Sequence, residues 1–198
     1  MDTYHKNGMI LGKFNSARNS KNDSLGKRFA IQFFKENGGI ARTNDIDDKG
    51  ILNYEKTDLE IYFEAKKLEI YVEVELKGDK IWRYIYDGID IPARKSKYAI
   101  NTENKGVFFM GKKDLTECLI IPMKYVSMAY KDCGEEYSGF GRISPSPNFV
   151  MPEHGCHRVR KICNTDESLG ANIEDFIRIP YKFATHFVKM DGKFIKRD

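Results

Sequence analysis

The sequence predicts an α/β fold, a mixed central β-sheet flanked by helices, with an irregular C-terminal insertion and a terminal hairpin. Three observations carry that expectation. Residues 57–77 alternate apolar and polar side chains with period two over two runs. Residues 24–37 place apolar side chains at helical spacing behind a capping residue. Residues 107–110 and 118–126 are apolar runs of the length expected of buried strands.

Taken in chain order, residues 1–22 are polar and rich in Asn and Ser, and read as a flexible arm. Residues 23–198 then form a single domain, long enough for a full core. Asp23 or Ser24 can cap a helix that runs to Asn37, with Leu25, Phe29 and Phe33 on one stripe beside Ala30 and Phe34. Gly38 and Gly39 end it, and Ile40–Thr43 can form a short strand.

The next element is the informative one. In Thr57 to Lys77, Leu59, Ile61 and Phe63 alternate with Asp58, Glu60 and Tyr62. After a turn, Ile70, Val72, Val74 and Leu76 alternate with Glu69, Tyr71, Glu73, Glu75 and Lys77. A turn centred between Ala65 and Lys66 pairs Ile61 with Ile70, Leu59 with Val72, and Asp58 with Glu73; Glu75 lies diagonally from Asp58. A slip of one residue would set apolar residues against acids, so this register is preferred. Facing carboxylates repel unless a cation sits between them. Oxygen ligands of this kind suit Mg²⁺ or Mn²⁺, and Lys77 adds a positive charge on the same face.

Asp58 followed by Glu75-Leu76-Lys77 on the next strand resembles the active-site signature of the PD-(D/E)XK nuclease superfamily, which includes restriction enzymes and some Holliday-junction resolvases. The resemblance spans residues 20 to 125. It implies a restriction-endonuclease-like core and metal-dependent endonucleolytic hydrolysis of DNA, with Asp58, Glu75 and Lys77 catalytic. Asp58 and Glu75 would hold the metal, with the Leu76 carbonyl completing its shell, and Glu73 would hold a second ion or bond Lys77. An enzyme of this kind that cuts both strands would act as a homodimer, and the small size fits phage or mobile-element members. The chain departs from the pattern at Thr57, where Pro is common, and in lacking the glutamate that many members place early on the upstream helix.

Pro92 is expected to end the aromatic segment 81–86, and the basic run that follows, Arg94, Lys95 and Lys97, is the candidate for contacts to the DNA backbone. Residues 138–170, with Pro145, Pro147 and Pro152 among glycines, read as a long irregular loop. Its Arg158, Arg160 and Lys161 are further nucleic-acid candidates. Cys133, Cys156, His157 and Cys163 offer ligands for Zn²⁺, although their spacing matches no compact zinc pattern. Asp191-Gly192 between 187–190 and 194–196 is a strong hairpin signal.

Composition narrows the classes. No apolar run approaches the roughly 18 residues of a membrane helix, so no membrane partner is expected. The N-terminus lacks a secretory pattern, so a cytoplasmic location and free thiols are expected. A net charge of +4 permits nucleic-acid binding without requiring it. Two alternatives to a nuclease stay open: a non-catalytic nucleic-acid-binding or assembly protein of similar fold, and a zinc-stabilised structural module.

Overall fold

The computed structural model describes residues 5–6, 9–10, 16–43, 57–102, 105–131, 135–139, 142–145, 151–162 and 173–197. Strands β1 (His5–Lys6) and β2 (Met9–Ile10) pair antiparallel. Helix α1 spans Ser16–Glu36, so residues 16–22, expected in the polar arm, belong to it. The chain continues through β3 (Ile40–Thr43), β4 (Leu59–Phe63), β5 (Leu68–Lys77), the short helix α2 (Asp79–Trp82), β6 (Ile89–Pro92), α3 (Ser96–Asn101), β7 (Gly106–Lys112), β8 (Glu117–Pro122) and α4 (Met123–Lys131). It closes with β9 (Glu135–Gly139), β10 (Arg142–Pro145), β11 (His157–Ile162), β12 (Ile173–Ile179), β13 (Thr185–Met190) and β14 (Lys193–Lys196).

Two sheets organise these elements. The larger has the order β14-β13-β8-β7-β5-β4-β3, antiparallel except for the parallel pair β5–β7. The smaller has the order β10-β9-β11-β12-β6. The fold is therefore mixed α/β, as expected. The β4–β5 hairpin has the expected register, Leu59 opposite Val72 and Ile61 opposite Ile70. Its four-residue connection contains a 3-10 turn at Glu64–Lys66 and closes on Lys67, whose φ of 48° is left-handed. The terminal hairpin is also present, with φ of 50° at Asp191 and 80° at Gly192. Those two positive angles are the ones a two-residue turn needs to match strand twist.

Three expectations need correction. Residues 138–170 are not irregular throughout, because β10 and β11 and the end of β9 fall within them and build the smaller sheet. The apolar run 118–126 is strand only to Pro122 and helical from Met123. Pro92 does not merely break a segment; it closes β6, where it pairs with Phe176 of β12 at the sheet edge, a place where its missing N–H is tolerated.

The larger sheet buries both faces. On one, α1 packs Phe29, Ala30, Phe33 and Phe34 against Leu59, Ile61, Val72, Val74, Phe109 and Cys118. Approach is close: a Cβ on Gly111 would meet Leu76 Cδ2 at 2.7 Å and Phe29 Cδ1 at 2.8 Å. On the other, Phe108, Met110, Leu119 and Ile121 meet Trp82, Ile85, Ile91, Tyr98, Met123 and Ile177 from α2 and the turn after it, α3, α4 and the smaller sheet. Among the described residues no helix is long and apolar enough to cross a membrane.

Candidate functional site

Directly paired residues of a ladder share a face. On β5, Glu73, Glu75 and Lys77 stand beside Phe108, Met110 and Lys112 of β7. The acids thus lie on the face that the second core covers, and not on a solvated one. Glu73 is 1% exposed and Lys77 7%. A polar strand face that would ordinarily meet water is instead taken inside.

Asp58 sits one residue before β4 and follows the register, so it faces Glu73. β4 has not begun there, and the Asp58 carboxylate replaces the missing ladder acceptor: Val74 N–H donates to Asp58 Oδ2 at 2.8 Å. Three ammonium groups meet the three acids. Lys27 of α1 lies 3.2 Å from Asp58 Oδ1, Lys77 pairs with Glu75, and Lys95 donates to Glu73 Oε1. Lys95 arrives from the 3-10 turn Ala93–Lys95 that follows β6, so an edge strand of the smaller sheet delivers it to the larger. Even so, Glu73 Oε2 and Glu75 Oε2 are enclosed without a hydrogen-bond partner.

Burial, followed by repulsion from Asp58, pushes the Glu73 carboxyl up to about 7, and Lys95, pulling the other way, does not prevent it. Burial also raises Asp58 above the ordinary carboxylate range, against the opposing pull of the Val74 N–H, Lys27 and Lys95. Desolvation therefore outweighs pairing at both acids.

The donor set is all oxygen and two of its buried oxygens are unpartnered, a chemistry suited to Mg²⁺ or Mn²⁺. As the side chains stand, each acid is engaged by a lysine, and among the described residues no three His, Cys, Asp or Glu groups are arranged to hold a metal ion. A shallow hollow of about 200 Å³ lies on the same sheet face but toward the hairpin turn, lined by Arg42, Glu60, Tyr62 and Glu69. The buried unpartnered carboxylate oxygens lie at the enclosed acids and not around the hollow.

The other expected residues separate. Lys95 reaches the site, but on a carboxylate. Arg94 is exposed nearby, and the Lys97 backbone lies in the first turn of α3. Arg158 pairs with Asp175 at 3.1 Å across β11 and β12, one strand further from the acids than β12 itself; Arg160 and Lys161 lie on β11. Cys156 is fully buried in the second core, where burial pushes its thiol up to about 11. His157 bonds the Gly155 carbonyl through Nδ1 at 2.9 Å. Cys133 and Cys163 lie outside the described residues.

Lys27 was not expected. Its signal is Gly26, a costly residue inside a helix unless a neighbour approaches closely. A Cβ there would meet Val74 Cγ1 at 3.1 Å, so α1 passes close to β5 at the turn that carries Lys27. Comparison with protein-family models, with curated proteins and with solved structures returns no match, so the site is read from its own residues.

Proposed function

We propose that the chain is a metal-dependent nuclease that hydrolyses DNA phosphodiester bonds at Asp58, Glu73, Glu75 and Lys77. The observation that carries this reading is the enclosure of the polar face of β5, where carboxylates remain buried with two oxygens unpartnered. Burying like charges is costly, and a fold selected only for stability would replace them with apolar side chains. A bound Mg²⁺ or Mn²⁺ would neutralise the acids and supply Lewis-acid activation of water and phosphate. Asp58 and the β5 acids would hold it. Lys77, whose side chain is tethered to Glu75, would orient a water and offset the charge that develops on the phosphate.

Incubation of the protein with supercoiled plasmid in Mg²⁺, Mn²⁺ or EDTA tests the reading. Nicking or linearisation with metal and none with EDTA is expected. Absence of cleavage with either metal, across a range of pH and protein concentration, would sink it. The pairing of each acid with a lysine favours a second reading, a nucleic-acid-binding protein without catalysis. That protein would bind DNA in EDTA, with affinity falling steeply as salt rises.

A further inference from the structure

The polar face of β5 carries two acid–lysine pairs that differ in kind. Glu75 and Lys77 are neighbours on one strand, two residues apart, and the Glu75 side chain keeps 24% of its exposure. Glu73 is the residue directly opposite Asp58, its side chain keeps 2%, and its ammonium partner comes from another sheet. Lys95 also acts on Asp58 through its charge. Three separate elements, the approach to β4, the middle of β5 and the turn after β6, thus converge on one point. The Glu75–Lys77 pair forms within one strand, whereas this convergence requires both sheets.

We infer that Glu73 and Lys95 complete the site with Asp58: Glu73 is the carboxylate that shares a divalent cation with Asp58, and Lys95 is the residue that positions Glu73. The inference rests on the metal-dependent reading of the site and changes which residues bear it. Lys95 takes Glu73 Oε1 and leaves the enclosed Oε2 without a protein donor, so the carboxylate is fixed in orientation with one oxygen unused. Glu75 then lies diagonal to Asp58, and its partner Lys77 stands beside Lys112 toward the far end of the strand. Within the basic run after β6, Lys95 accordingly serves the acids.

The test titrates full-length protein with Mn²⁺ by calorimetry and measures plasmid cleavage in parallel, with circular dichroism confirming the fold of each variant. Asp58→Asn and Glu73→Gln should each weaken Mn²⁺ binding at least about tenfold, and each by more than Glu75→Gln does. Lys95→Met removes a competing positive charge, so it should bind Mn²⁺ about threefold more tightly yet cleave at least about tenfold more slowly. Lys95→Arg should restore part of the cleavage, and Lys95→Gln replaces Lys95→Met if that protein does not fold. Opposite movement of binding and cleavage is not what a merely structural lysine produces. A parent protein that binds no Mn²⁺, a Glu75→Gln loss matching Asp58→Asn while Glu73→Gln is silent, or a charge-removing Lys95 variant unchanged in binding would each overturn the inference. Mn²⁺ binding with the expected variant pattern but no cleavage would support this assignment and overturn the hydrolytic reading instead.

Discussion

Two charged clusters lie on the same face of the larger sheet, and they are built on opposite terms. Around Glu117 every oxygen is used: Oε1 meets Lys112 at 3.1 Å, and Oε2 accepts from Trp82 Nε1 at 3.2 Å and meets His186 Nε2 at 2.9 Å. His186 Nδ1 in turn meets the Tyr181 hydroxyl at 2.8 Å. Burial pushes Glu117 up, yet Lys112, Trp82 and His186 outweigh it and hold the carboxyl below its usual range. Around Glu73 burial wins, and an oxygen is left over. A satisfied buried network stabilises a unique packing, while one with unused capacity is where a ligand is expected.

Four substitutions can break or sharpen that contrast. The largest effect is expected from Asp58→Asn, which should lower plasmid cleavage in Mn²⁺ by about a thousandfold, or about 4 kcal/mol of transition-state stabilisation, with the fold intact. Glu117→Ala should do the reverse, leaving the acids in place but lowering stability in urea unfolding by about 3 kcal/mol, because Trp82 and His186 lose their acceptor. If Glu117→Ala proved neutral, its cluster could not be called structural.

Glu73→Gln should stabilise the metal-free protein. The folded Glu73 carboxyl stands near 7 against an ordinary 4.5, so the folded state favours the proton. Its favourable contribution is complete below pH 4.5 and is lost as pH rises through 7. In EDTA at pH 8 the glutamine variant should therefore be more stable than the parent by about 2 kcal/mol, less than the full linkage value because Lys95 loses its counter-charge. The gain should vanish at pH 4, and a gain that persisted there would contradict the assigned protonation. Smallest is Trp82→Phe, which removes one of several donors to Glu117 and should cost about 1 kcal/mol.

Much of this was legible in the sequence, for reasons that are local. The hairpin register follows from period-two alternation and an even loop, so Leu59–Val72 and the facing of Asp58 and Glu73 could be read directly. Asp191-Gly192 announced its turn through backbone chemistry. Burial of the acids could not be read, because it depends on a second layer whose strands are far apart in the chain. The same distance hid the role of Lys95, which as a member of a basic run looks like any solvated cation. Residues 138–170 misled because proline and glycine mark strand ends and turns in an edge-rich sheet as readily as they mark a loop. Cys156 reads as a ligand candidate beside His157 in the sequence, whereas its burial in the second core could not be read there.

The edge strand β6 has a bearing on assembly in time. It is seated by β12, where Arg178 grips Asp90 through paired contacts of 2.8 and 2.9 Å across 88 positions of sequence. Pairings of that span close late in folding, since their loop entropy must be met before they return any stability. The hairpin bearing Asp58 and Glu73, by contrast, closes over four residues. During refolding, then, the two acids would face each other before Lys95 is brought beside them. In that interval the carboxylates repel without the Lys95 ammonium, so ionic strength should influence the speed of the last phase more than that of the first.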